Sequence, residues 1–216
     1  MARLIDDSAL ERCSVVANRA MNRERDLTGS NGYGRELGID IPALITEGPA
    51  PFRWLDLCCG TGKALLQCAS QFDPGRVHIT GVDLVDFYAA PPGPAVRFIT
   101  ASITDWQPDQ AAFDLITCVH GLHYIGDKLR VLAQVATWLA PAGRFAANLD
   151  LTSIRTPSHR RLASALRAAG FTIDARRRRI TRTGPATLAL PFTYLGADDT
   201  AGPNSTGQPA VHSHYT

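Results

Sequence analysis

The stretch "DLCCGTGKA", Asp56 to Ala64, decides how the rest of the chain is read. Three chemistries compete for it: a phosphate loop, a paired-cysteine metal or redox site, and a bare turn for another nucleotide-like ligand. A phosphate loop needs G-x-x-x-x-G-K-[ST]. Here Leu57 stands at the first glycine, and Ala64 replaces the hydroxyl that would hold magnesium. A dinucleotide fingerprint G-x-G-x-x-G needs a third glycine where Leu65 stands. Adjacent cysteines are poor ligands for one tetrahedral metal, whose ligands are spaced two or more residues apart, so Cys58 and Cys59 read as small residues in a tight turn. What fits is an apolar strand closed by Asp56, a Gly60-x-Gly62 turn, a helix, and a second acid, Asp83, at the end of the next apolar run, about 20 residues on. An acid at that distance accepts the two hydroxyls of a ribose. A ribose without a pyrophosphate is the ligand that this pattern favours.

Outward from this turn, short apolar runs alternate with helical patterns, the signature of βαβ units and a parallel sheet. "RWLDL" reads as a first strand, "KALLQCASQF" as the helix after it, and "VHITGVDL", "AVRFITAS" and "FDLITCVHGLHY" as the next strands. Leu129, Leu132, Val135, Ala136 and Leu139 share one helix face, and "GRFAANLDL" supplies a fifth strand. Thr156 and Pro157 are expected at the N-cap and first position of a helix that Gly170 ends. "FTIDA" and "ATLALPFTYL" read as a final antiparallel pair. Upstream, Ser8 and Glu11 have capping-box spacing, with Leu10, Cys13, Val16 and Ala20 at helical intervals after them. "TGSNGYGRELGID" begins loop-like, and "IPALITEG" gives a short helix. The division expected is 1–50 as a helical cap segment, 51–195 as the core, and 196–216, rich in turn formers, as a surface-wandering or partly disordered tail.

Composition narrows the class. The 216 residues, 45% hydrophobic and 19% charged, describe one globular domain. A net charge of +2 gives no global field for nucleic acid or an anionic membrane. No apolar run is long enough to span a bilayer, and "MARLIDDSALERC" has no signal-peptide core, so the cytoplasm is the compartment expected. Five cysteines, with no CxxC pair, are expected as free thiols.

The chain resembles the class I, Rossmann-like S-adenosylmethionine (SAM)-dependent methyltransferases. "WLDLCCGTGKAL" resembles their glycine-rich motif, with Cys58 at the usual first glycine, and "VDL" their ribose motif; "FDLITCVHGLHYI" is similar to the fourth-strand motif, and "WLAPAGRF" to the "LKPGGR" turn. Four motifs in order, over about Arg53 to Leu151, are far more specific than any one of them. The resemblance implies a doubly wound α/β fold: a mostly parallel seven-stranded sheet with an antiparallel last strand, helices on both faces and an N-terminal helical lid. It implies SAM as cofactor, with Asp56, Cys58 and Gly60 at its methionine end, the bare backbone of Gly60 and Gly62 passing close to it, and Asp83 on the ribose. Leu84 and Ile103 would lie against the adenine, Ser102 would stand where the family often has an acid, and the backbone at Cys118 and Val119 would face the cofactor.

His120 and His123 follow the fourth strand, at the sheet edge where α/β folds place ligands, so either is a candidate base for an acceptor hydroxyl or amine. Their structural alternative is an ordinary core histidine, as it is for Tyr124. Tyr33 or Arg35 is expected near the cofactor carboxylate, and His212, His214, Asn148 and Asp150 are too few or too scattered for a metal. The arginines 176–179 with Arg182 read as exposed on an edge strand rather than as an RNA track. The expected function is metal-independent methylation of a small molecule, with secondary metabolites as a candidate class, without nucleic-acid or membrane partners. The alternatives are a SAM-binding enzyme that catalyses a cyclisation or rearrangement, and an RNA methyltransferase.

Overall fold

The computed structural model describes residues 3–17, 24–204 and 207–216. Its centre is β1 (Phe52–Leu57), in which Trp54, Leu55, Asp56 and Leu57 are buried. A run buried on both faces belongs in the middle of a parallel sheet. β1 pairs in parallel with β2 (Val77–Asp83) on one side and β4 (Phe113–Cys118) on the other. Beyond these lie β3 (Val96–Thr100), parallel to β2, and β5 (Leu139–Asn148), parallel to β4. The order is β3-β2-β1-β4-β5-β8-β7, so strand order reverses between β1 and β4. Open α/β sheets bind ligands at such a reversal, beyond the carboxyl ends of the strands.

Helices lie on both faces. α2 (Tyr33–Leu37), α3 (Ile41–Glu47) and α4 (Lys63–Ala69) pack through Tyr33, Leu37, Ile41, Ile45 and Leu65 around Trp54 and Ile79. On the other face α5 (Lys128–Trp138) and α6 (His159–Ala168) bury Leu129, Leu132, Val135, Leu162 and Leu166 against Leu55, Ile116 and Phe145. The expected seven-stranded, mostly parallel sheet with helices on both faces is the fold observed.

Several local expectations are corrected. The final hairpin is β7 (Thr172–Asp174) with β8 (Arg179–Thr183), not "FTIDA" with "ATLALPFTYL". β8 runs antiparallel between β5 and β7, so its arginines are not on an edge. Arg179 donates to the carbonyls of Arg35 and Glu36, and Arg182 to those of Gly184 and Ala169. Arg177 and Arg178 pair with Asp174 and Asp150. α6 is capped by Ser158, whose hydroxyl accepts from Arg161 N–H, rather than by Thr156. α1 (Asp7–Glu11) is capped by Asp6, which accepts from Ala9 N–H, while Ser8 accepts from the Arg12 side chain. Ala20 lies outside the described residues. α2 forms inside a stretch expected to be a loop at its start.

The tail is packed rather than wandering. β9 (Tyr194–Asp198) and β10 (His212–Tyr215) join β6 (Ile154–Arg155) in a second, three-stranded sheet. Val211, Ser213 and Tyr215 are buried. The Tyr215 hydroxyl donates to Asp127 (2.9 Å) and accepts from Leu129 N–H (3.0 Å), so β10 is clasped to the start of α5. α1 rests on this layer, with Leu10 and Val16 against Ala197 and Val211.

Candidate functional site

A cavity opens where the strand order reverses, between the loops after β1, β2 and β4, with α1 over it. Counted to its open mouth, with the solvent there included, it spans about 1030 Å³.

The turn after β1 forms its floor. Cys58 (φ 55°), Cys59 and Gly60 (φ 58°) line the cavity. Asp83 ends β2 and is 2% exposed, yet its carboxylate reaches the cavity wall. One oxygen accepts from Gly60 N–H (2.8 Å) and the other from Val85 N–H (3.0 Å). These two backbone donors fix the carboxylate in place and aim it. Leu84 and Ile103 add apolar wall on either side, with Ser102 and Val119 beside them. A diol acceptor, a backbone floor and flanking apolar side chains form the donor and contact set that a nucleoside requires, so these residues fit the cofactor implied by the sequence resemblance.

Four of the expected residues stand behind the wall. Gly62 lies one step past the turn at φ 68°, where a Cβ would come within 2.3 Å of the Phe98 ring. Its bareness serves the approach of β3 rather than a ligand. Cys118 is fully buried. Its thiol is pushed well above its usual range by a hydrogen bond with Cys58 and by burial. Asp56 is fully buried and accepts from the Tyr33 hydroxyl (2.7 Å) and from Thr117, whose oxygen also accepts from Trp54 Nε1–H (2.8 Å). Burial raises Asp56 to about 7 against the pull of those two donors. Asp56 therefore fastens α2 to the sheet and places the Tyr33 ring on the cavity wall.

The fourth is His123, which is 2% exposed and pushed down to about 4 by burial. His120 does line the cavity. Its Nε2 lies 3.1 Å from a Glu36 carboxylate oxygen and its Nδ1 3.4 Å from His123 Nε2. Its backbone, at φ 58°, donates to the Asn148 side chain (3.2 Å). Burial lowers its affinity for a proton, and the Glu36 carboxylate partly restores it. Glu36 accepts most readily from Nε2–H, a tautomer assigned from the network, which leaves the lone pair on Nδ1.

Sequence reading missed Asp7, Leu10, Glu11, Arg25, Gly121 and Gln208 on the wall. Arg25, not Arg35, is the arginine there. Glu11 and Gln208 come from opposite ends of the chain, so no local pattern signals them. Asn148, which the sequence gives no role beside a metal, accepts from His120 N–H through its side-chain oxygen and so holds the His120 turn. Gly121 was legible in principle, as the glycine right after the fourth-strand motif. A Cβ there would meet Cys58 Cβ at 2.4 Å.

The model of a family described as "Methyltransferase domain" matches residues 31–155, more than half of the chain. Among curated proteins, a trans-aconitate 2-methyltransferase of Acidovorax is 31% identical over 132 residues, 58% of this chain and 49% of that protein. The O-methyltransferase rstn1 of Aspergillus nomiae is 30% identical over 121 residues, 52% of this chain and 50% of that one. The chain thus spans about half the length of the curated relatives it matches. Among solved structures, a TehB-like SAM-dependent methyltransferase from Corynebacterium glutamicum aligns with a TM-score of 0.49 at 16% identity, covering 68% of this chain and 90% of that one.

Proposed function

This chain belongs to the methyltransferase-domain family, as a class I SAM-dependent member, and from that premise we propose that it methylates a small-molecule acceptor. The observation that carries the reading is Asp83, a buried carboxylate held by Gly60 and Val85 N–H groups at the wall of a cavity floored by bare backbone.

Asp83 would take the ribose hydroxyls, Leu84 and Ile103 the faces of the base, and the Cys58–Gly60 backbone the amino-acid portion. Bound there, SAM supplies a methyl group already activated by a positive sulfur. The chain's own residues then have to bind the acceptor, align it and exclude water, and alignment alone supplies much of the rate in such reactions. His120 lines the same cavity as Tyr124, Arg25 and Gln208, which leaves these four to meet the acceptor. In its neutral form its Nδ1 receives the acceptor's proton in exchange for the long contact to His123, and Glu36 stabilises the resulting cation. His123 lies off the wall and acts through His120, as a positioning residue.

Support for a small acceptor comes from enclosure: α1 and the tail residue Gln208 wall the cavity. The arginines of β8 and its turn are engaged by carbonyls and carboxylates of this chain, which disfavours the RNA alternative. The relatives named for trans-aconitate and for 27-O-demethylrifamycin SV point the same way. The test is isothermal titration with SAM, followed by mass spectrometry of a metabolite extract incubated with methyl-labelled SAM. The reading predicts a labelled small molecule formed with stoichiometric S-adenosylhomocysteine. A folded protein that binds SAM with no labelled product from extract would refute methyl transfer to a small acceptor.

A further inference from the structure

Resting on the cofactor reading above, we propose that Glu11, on the lid helix α1, accepts the exocyclic amino group of the cofactor's adenine, so that recognition of the base and closure of the lid are one event. The apolar slot next to Asp83, walled by Leu84 and Ile103, ends in three polar side chains: Ser102, Thr104 and Glu11. Glu11 comes from the opposite end of the sequence, yet its Oε1 accepts from the hydroxyls of Ser102 and Thr104 (3.4 Å for the latter). Ser102 and Thr104 also bond to each other at 2.7 Å, and Ser102 Oγ accepts from Thr104 N–H at 3.3 Å.

The donors and acceptors at this end are therefore unequal. The two hydroxyl protons are shared between Glu11 Oε1 and the Ser102–Thr104 contact, and the hydroxyl oxygens remain neutral acceptors, weaker than a carboxylate oxygen. The remaining strong acceptor is Glu11 Oε2, which receives no hydrogen bond among the described residues. Burial pushes the Glu11 carboxyl up, and the Ser102 hydroxyl, the largest opposing influence, draws it back down. A half-buried carboxylate with one oxygen pinned, on the wall of a cavity that Leu84 and Ile103 also line, is matched by an N–H donor on a ring edge, and an aminopurine presents one. A 6-oxo purine would instead oppose a carbonyl to the carboxylate. Ser102, at the position where the family often carries an acid, thus serves as the bracket for an acid delivered by the lid.

The experiment compares S-adenosylhomocysteine with S-inosylhomocysteine, in which the amino group is replaced by oxygen, by equilibrium titration against the full chain and its Glu11→Ala and Glu11→Gln variants, with circular dichroism to check folding. The wild type is expected to prefer the adenosyl ligand by about tenfold or more. Glu11→Ala is expected to weaken that ligand about ten- to a hundredfold and to leave the inosyl ligand unchanged or improved, erasing the preference. Glu11→Gln, which keeps a carbonyl acceptor and the shape of the lid, is expected to retain part of it. Equal weakening of both ligands would mean that Glu11 only holds the lid, and no change in either would mean that it meets no ligand; each overturns the proposal while leaving the cofactor reading intact. Failure of the wild type to bind either ligand would overturn both.

Discussion

Lys128 is fully buried, and its Nζ donates to three neutral oxygens: the Ile125 carbonyl (2.8 Å), the Val211 carbonyl (2.9 Å) and Ser213 Oγ (2.9 Å). Two of these belong to the tail, so this one side chain sews the tail to the start of α5. Burial lowers its pKa from the ordinary 10.5 to about 7. That gap corresponds to about 5 kcal/mol of preference for the neutral amine in the folded chain. In the unfolded chain the amine keeps its proton up to 10.5, whereas the folded chain releases it near 7. Between those limits the unfolded state binds more protons, so stability rises with pH, by about 1.4 kcal/mol per pH unit. Cys68, raised by burial from 9.0 to about 12, imposes the opposite slope above 9, so the rise is clearest between pH 7 and about 8.5. Urea unfolding followed by tryptophan fluorescence across that window should show the wild type gaining about 1 kcal/mol, because Asp56, raised to about 7, loses its proton at the foot of the window and opposes the rise. Lys128→Met leaves three acceptors without their donor and is less stable at every pH. Its slope, however, should be flatter by about 1.4 kcal/mol per pH unit. Equal slopes in the two proteins would refute the assignment of a nearly neutral buried amine.

Two further outcomes follow from the site. His120→Gln should lower kcat about a hundredfold. It should also remove an acid limb of the pH–rate profile whose midpoint in the wild type lies below 6.5, because burial lowers this histidine and only its neutral form accepts a proton; a variant that keeps both rate and limb would show that His120 takes no proton. Gly62→Ala places a methyl 2.3 Å from the Phe98 ring at φ 68°, and differential scanning calorimetry should record a loss of about 1–3 kcal/mol, or several degrees in Tm; an unchanged Tm would mean that β3 yields without cost.

The central strands were legible because a parallel sheet buries both faces: "RWLDL" and "FDLITC" are short runs with an apolar majority, and the turn between strand and helix carries its glycines in the open. β8 was misplaced because "RITRT" offers only Ile180 to the core. Its arginine heads are satisfied by carbonyls of Arg35, Glu36, Ala169 and Gly184, and no pattern within the strand announces those partners. The tail was misread for the same reason. Gly, Pro, Asn and Ser dominate it, while the alternation that buries Ser213 and Tyr215 is spelled in polar residues. Within the site, spacing marks an acid at a strand end but does not say which of two acids reaches the cavity. Asp83 does, and Asp56 is claimed by Tyr33 and Thr117. Glu11 and Gln208 reach the wall only through tertiary packing of segments from the two ends of the chain.

The most direct test is a crystal structure of the protein with S-adenosylhomocysteine. The account predicts both ribose hydroxyls on the Asp83 carboxylate, the base between Leu84 and Ile103, and the amino-acid end over the backbone of Cys58–Gly60. Ligand bound elsewhere, or a groove that stays closed by the protein's own side chains at saturating ligand, would contradict it.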